Sequence, residues 1–246
     1  MSERTKELRC LLLQVRNRRD VMREHEVESF ARVLEVPAER IDVLDLLEGS
    51  LDGAALERVD LVLLGGSGDY SAAGEGDWLD RALESLRRLH ASEKPVFASC
   101  WGFQAMARAM GGTVRHDPDR AEVGTRELLL TDEGKRDPIF APLGSPFLAQ
   151  MGHEDSVVEL PPNTTRLATN ERVENQAYRF DDAPIYCTQF HPELRGSDLI
   201  LRLSNYPHYV ERLAGLPPER FFETIEESPE TEHVLTRFVE QVIGAV

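Results

Sequence analysis

A lone cysteine, Cys100, sits where an apolar run gives way to a helix-like stretch: Val96-Phe97-Ala98-Ser99-Cys100-Trp101-Gly102-Phe103-Gln104. A strand that ends, turns sharply and hands over to a helix leaves a nucleophile on the turn. Such a turn has no room for bulk two residues before or after the nucleophile, and Ala98 and Gly102 meet that need. The dipole at a helix N-terminus favours the thiolate, the reactive form of cysteine. A free cysteine is also a common core residue, so the segment alone leaves a buried structural thiol open.

Far downstream, Pro184-Ile185-Tyr186-Cys187-Thr188-Gln189-Phe190 reads as a strand that ends in His191-Pro192-Glu193. A cysteine nucleophile needs a base, and the base needs an orienting group. His191 can take the thiol proton and return it to a leaving amine. Glu193 can accept from the other ring nitrogen and fix the tautomer. Pro192 stiffens the link between them. A histidine at a strand end is by itself an ordinary surface or hydrogen-bonded residue, and Cys187 reads as a buried strand thiol.

Together these segments resemble the class I (triad-type) glutamine amidotransferase family, which carries a Gly-x-Cys-x-Gly-x-Gln elbow and a distant His-Pro-Glu. A third element is similar: Asp60-Leu61-Val62-Leu63-Leu64-Gly65-Gly66-Ser67-Gly68 matches a strand followed by Gly-Gly-Pro-Gly. Ala98 stands for the elbow glycine and Ser67 for the proline. The resemblance runs over residues 8–194. It implies a Cys100–His191–Glu193 triad that hydrolyses a glutamine side-chain amide through a γ-glutamyl thioester. It further implies an oxyanion hole from the backbone N–H groups of Gly66 and Trp101, and a substrate contact from Gln104. Met151-Gly152-His153-Glu154-Asp155 resembles the family segment that holds the amino-acid end of the substrate, so Gly152, His153 and Glu154 are substrate-binding candidates. Glu154 stands where the family has glycine.

The elements needed to position these groups are legible as alternation. Residues 8–15, 40–46, 59–64 and 95–99 are short apolar runs that predict buried strands. Residues 21–34 and 78–89 carry apolar side chains at helical spacing. The pattern predicts an α/β fold with a doubly wound, mostly parallel sheet and flanking helices, flavodoxin-like, with ligands at the carboxyl ends of the strands. After Gly111-Gly112 the segments 113–123, 127–130, 147–151, 157–160 and 166–169 read as a small antiparallel extension. Residues 174–180 and 185–190 then return the chain to the site. The whole chain, 1–246, is expected to be one domain. Residues 197–228 read as an insertion before a closing helix at 232–243, either near the site mouth or as a helical ornament.

With 41% hydrophobic and 29% charged residues the composition is that of a globular chain, and its formal net charge of −16 argues against nucleic acid or an anionic membrane as partner. The charged N-terminus precedes an apolar stretch too short for a signal peptide, and three scattered cysteines suit a reducing cytoplasm. No Cys/His cluster has metal-ligand spacing, so no metal and no cofactor is expected. No Gly-x-x-x-x-Gly-Lys phosphate loop occurs, so a glutaminase would hand ammonia to a synthetase partner in trans. A γ-glutamyl peptidase acting alone uses the same triad and stays open. So does a non-catalytic regulatory or binding protein on this fold.

Overall fold

The structure, a computed structural model, describes residues 7–244 apart from the side chains of 207–209. The charged stretch before residue 7 lies outside the described residues. Five parallel strands form one half of a nine-stranded sheet in the order β2 (Ile41–Asp45), β1 (Cys10–Gln14), β3 (Leu61–Leu64), β4 (Val96–Ser99) and β11 (Ile185–Thr188). The sheet continues antiparallel through β10 (Ala177–Phe180), β9 (Thr164–Thr169), β6 (Glu122–Leu130) and β7 (Phe147–His153). β5 (Thr113–His116) and β8 (Asp155–Glu159) make a separate antiparallel ribbon.

Strand alternation builds two cores. Cys10, Leu12, Leu61, Leu63 and Phe97 face one side, against α1 (Met22–Leu34) and α8 (Pro229–Phe238). Leu11, Leu13, Val62, Leu64 and Ala98 face the other, against α3 (Asp77–Ala91) and α4 (Trp101–Ala109). Side chains of successive strand residues point to opposite faces, so strands covered on both sides read as continuous apolar runs. The short helix α2 (Gly53–Glu57) is N-capped by the Asp52 side chain.

The predicted fold class holds, and three details differ. The small antiparallel extension is present as the β5–β8 ribbon, but four further antiparallel strands also continue the main sheet; residues 124–126 read as a break yet belong to the nine-residue strand β6. Residues 113–123 are split by a turn at Pro118–Arg120 rather than forming one extended segment. Val21 precedes α1 and is exposed, while Met22, Glu26 and Phe30, spaced four apart, form its buried stripe. Beyond β11, α5 (Gly196–Ser204), α6 (Pro207–Ala214) and α7 (Pro218–Phe222) pack on β6 around Val123, Leu194, Leu199, Leu203, Val210 and Phe221. Among the described residues no helix is long and apolar enough to cross a membrane.

Candidate active site

Cys100 stands on the turn between β4 and α4 with φ 53° and ψ −106°. A side chain in that region is strained, and the surroundings hold it there. Cys100 N donates to Thr188 O at 2.8 Å and Gly102 N donates to Gly65 O at 3.1 Å, which ties both sides of the turn to neighbouring strand ends. The turn brings α4 close to β3 and β4: a Cβ on Gly102 would lie 2.5 Å from Leu64 Cβ and 3.3 Å from Ala98 Cβ. Only glycine fits there, whereas Ala98 is accommodated.

β11 runs parallel to β4 with Thr188 opposite Ser99. The register delivers the chain end that carries His191 to the elbow. His191 N donates to Gln150 O at 3.0 Å, and Leu194 N closes the His-Pro-Glu turn onto His191 O at 3.2 Å. The His191 Nδ1 and Glu193 Oε1 atoms are 2.7 Å apart, which leaves Nε2 for the cavity that His191 and Cys100 line together. Cys100 Sγ also lies 3.7 Å from Gly152 O. All three side chains are buried, Glu193 completely.

Burial disfavours the imidazolium of His191, but the charges and hydrogen bonds of Glu193 and Cys100 outweigh it and lift the ring to about 9. Burial likewise works against the Glu193 carboxylate, yet His191 and Arg202 hold it below the usual carboxylate range. The other two thiols are buried in strands β1 and β11. Burial pushes Cys187 up to about 12, and burial together with Asp60 does the same to Cys10.

A cavity of about 330 Å³ opens over Cys100 and His191, and Gly66, Trp101, Gln104 and Glu154 line it. The candidate residues therefore converge, but several are wired differently from the expectation. The oxyanion donor expected at Gly66 needs correcting. Gly66 N–H donates to Glu26 Oε1 at 3.1 Å, because that carboxylate is buried on α1 and gathers donors from Gln14, Arg16 and the glycine loop. What glycine supplies at 66 is room: a Cβ there would lie 2.8 Å from His191 Cε1. Trp101, first residue of α4, keeps an N–H with no partner inside its helix.

Gln104 lines the cavity, but its Nε2 donates inside the protein, to Asp155 O at 2.9 Å and Gln189 Oε1 at 3.1 Å. His153 is buried, with Nδ1 3.0 Å from Asp155 O and Nε2 3.2 Å from Glu122 Oε2. Glu154 is paired with Arg212 of α6, and its other oxygen lies 3.8 Å from His116 Nε2. The acid at this position thus pins α6 to the β7–β8 turn. Leu199, Arg202, Leu203, Tyr206 and Arg212 all line the cavity, so α5 and α6 wall the site as well as adding packing.

Sequence reasoning did not single out Glu26, Arg202 or Arg212. Glu26 left a signal: a charged residue four places from Met22 and four from Phe30 lies on the apolar face of its helix. Arg202 left a weaker one of the same kind, between Leu199 and Leu203 in an amphipathic stretch.

The glutamine amidotransferase class-I family model matches residues 23–200, which takes in the elbow, the glycine loop and the His-Pro-Glu turn. The chain belongs to this family. It is 28% identical over 159 residues to γ-glutamyl peptidase 3 of Arabidopsis thaliana, a match that covers 63% of each protein. It is 32% identical over 139 residues to a glutamine-hydrolysing GMP synthase subunit of Methanopyrus kandleri, covering 56% of this chain and 69% of that one. The fold is that of a solved glutamine amidotransferase from Thermotoga maritima, with a TM-score of 0.75, 23% identity, and 96% of this chain and 98% of the other covered. The family match ends inside α5, so the rest of the cavity wall lies beyond it.

Proposed function

We propose that this domain hydrolyses the side-chain amide of glutamine through a γ-glutamyl thioester on Cys100. The observation that carries the reading is a buried imidazole held at 2.7 Å by a carboxylate on one nitrogen, in the same cavity as a strained elbow cysteine. His191 holds the proton that Sγ gives up, and the thiolate attacks the amide carbon. The C–N bond then breaks, and the imidazolium gives its proton to the departing nitrogen, which leaves as ammonia. His191 next draws a proton from water, the hydroxide oxygen bonds the thioester carbon, and the C–S bond breaks to release glutamate. Glu193 stays ionised and fixes the ring. Trp101 N–H faces the oxyanion.

The similarity to the glutamine-hydrolysing GMP synthase protein supports a role as a free-standing glutaminase domain that passes ammonia to a synthetase in trans. Residues 197–228, read as an insertion into a single domain, would then face that partner. One observation favours a second reading, a self-sufficient γ-glutamyl hydrolase. The cavity extends from Cys100 to side chains of α5 and α6, which gives a leaving group larger than ammonia a wall to rest on. The similarity to γ-glutamyl peptidase 3 points the same way.

The test is release of glutamate and of the amine from glutamine and from a γ-glutamyl dipeptide, wild type against Cys100→Ala. Cys100-dependent turnover of glutamine is expected. Dipeptide turnover well above it would replace the first reading by the second. Turnover that survives Cys100→Ala would overturn both.

A further inference from the structure

Arg202 is a buried arginine that the triad chemistry does not explain. It lies in α5 and is 6% exposed. Its Nη1 is 3.6 Å from Glu193 Oε1, the oxygen that also meets His191 Nδ1. Its Nε is 3.4 Å from His25 Nδ1. Two further atoms are sealed from solvent without a hydrogen-bond partner: Arg202 Nη2 and Glu193 Oε2. A sealed donor and a sealed acceptor are each costly, and here they belong to two groups already in ion-pair contact. A carboxylate and a guanidinium can satisfy one another with two parallel hydrogen bonds. Because Nη2 is sealed from the cavity, it is not presented to an anionic ligand, although other parts of Arg202 line the wall.

The neighbouring charges leave this role to Arg202. Arg32 of α1 reaches Glu193 only through its backbone carbonyl, at 2.9 Å, and has Asp198 and Glu232 as counter-ions. Arg16 is matched by Glu26 and Asp20, and His25 by Asp198. Among the described residues, Arg202 is therefore the guanidinium that faces the Glu193 carboxylate.

We propose that Arg202 is a positioning residue, whose guanidinium keeps the Glu193 carboxylate ionised and turned toward His191 Nδ1. The proposal rests on Cys100, His191 and Glu193 being the reacting set. Without Arg202, the fully buried Glu193 would take up a proton at higher pH. His191 would lose its counter-charge, and the proton it holds would return to Cys100.

The experiment is the pH dependence of Cys100 alkylation by iodoacetamide, which needs no substrate, with Cys100→Ala as the labelling control. In Arg202→Met we expect a folded chain by circular dichroism, slower alkylation at mildly acidic pH, and an acid limb moved up by about one pH unit or more. Arg202→Lys keeps the charge without the fork and should recover most of the limb. In a Glu193→Gln background, Arg202→Met should change nothing further, because the carboxylate it acts through is gone. A folded Arg202→Met with the wild-type profile would overturn the proposal, as would an equal loss in the Glu193→Gln background. Should Arg202→Met fail to fold, the neutral polar Arg202→Gln decides: an acid limb moved up supports the role and a wild-type profile refutes it. Failure of the wild type to hydrolyse any γ-glutamyl compound would sink the functional reading, while the alkylation profile would still report on Arg202.

Discussion

Two buried histidine–glutamate pairs border the same cavity, and they are wired for opposite purposes. His191 spends one nitrogen on Glu193 and leaves the other to the cavity it shares with Cys100. His153 spends both, one on Glu122 and one on Asp155 O, and Glu122 is further held by Gln176 at 2.5 Å and Asn170 at 2.7 Å. A ring with both nitrogens committed has no place for a travelling proton. A ring with one committed nitrogen is oriented and still able to transfer. Residue type and burial are alike in both pairs, so connectivity is what separates the pair proposed to react from the one that braces.

The sharpest way to break this comparison is to remove each ring. His191→Asn should lower γ-glutamyl turnover by roughly a thousandfold or more. His153→Asn should keep turnover within about tenfold and instead lower stability by about 1–3 kcal/mol in denaturant melts. The reverse pattern would assign the base to His153. Next in size come the carboxylates. Glu193→Gln should cost roughly a hundred- to ten-thousandfold in kcat, and Glu122→Gln should cost stability with kcat nearly intact.

The pH response separates the pairs again. His191 is lifted from 6.5 to about 9, so its stabilising contribution is complete below 6.5 and is lost as pH rises through about 9. The thermal stability of the wild type should therefore fall through that range, and the fall should be missing in His191→Asn. At Glu122 burial pushes the carboxyl up, but its hydrogen-bonded partners, His153 first, more than offset this and hold it below the ordinary 4.5. Its contribution is therefore present above 4.5 and is lost as pH falls, which acid melts of Glu122→Gln against wild type would reveal.

Smaller effects are expected from the glycines beside each histidine. Gly66→Ala would set a Cβ 2.8 Å from His191 Cε1, so kcat should fall by about tenfold or more as the ring shifts. Nothing lies within 4 Å of a Cβ on Gly152, next to His153, and Gly152→Ala should stay within about 0.5 kcal/mol of wild type in stability.

The elbow and the His-Pro-Glu turn were legible because their chemistry and their turns are local in sequence. The parallel half of the sheet was legible because buried strands read as apolar runs at Leu11-Leu12-Leu13 and Leu61-Val62-Leu63-Leu64. What escaped is tertiary. Glu26 of α1 meets Gly66 in the loop after β3, and no local pattern announces that a loop N–H will be claimed by a helix carboxylate. Glu154 could be seen to depart from the family glycine, but its partner Arg212 lies on a helix beyond the family match. Arg202 sits in the region that reads as ornament, where charge on an amphipathic stretch is normally solvated; only the fold shows it sealed against Glu193.

The most direct test of the central claim is intact-mass spectrometry of the rapidly quenched protein with glutamine or a γ-glutamyl dipeptide, followed by peptide mapping. The account predicts a γ-glutamyl adduct on the peptide that carries Cys100, absent in Cys100→Ala and in His191→Asn. Turnover with no adduct on Cys100, or an adduct on Cys187 in its place, would contradict it.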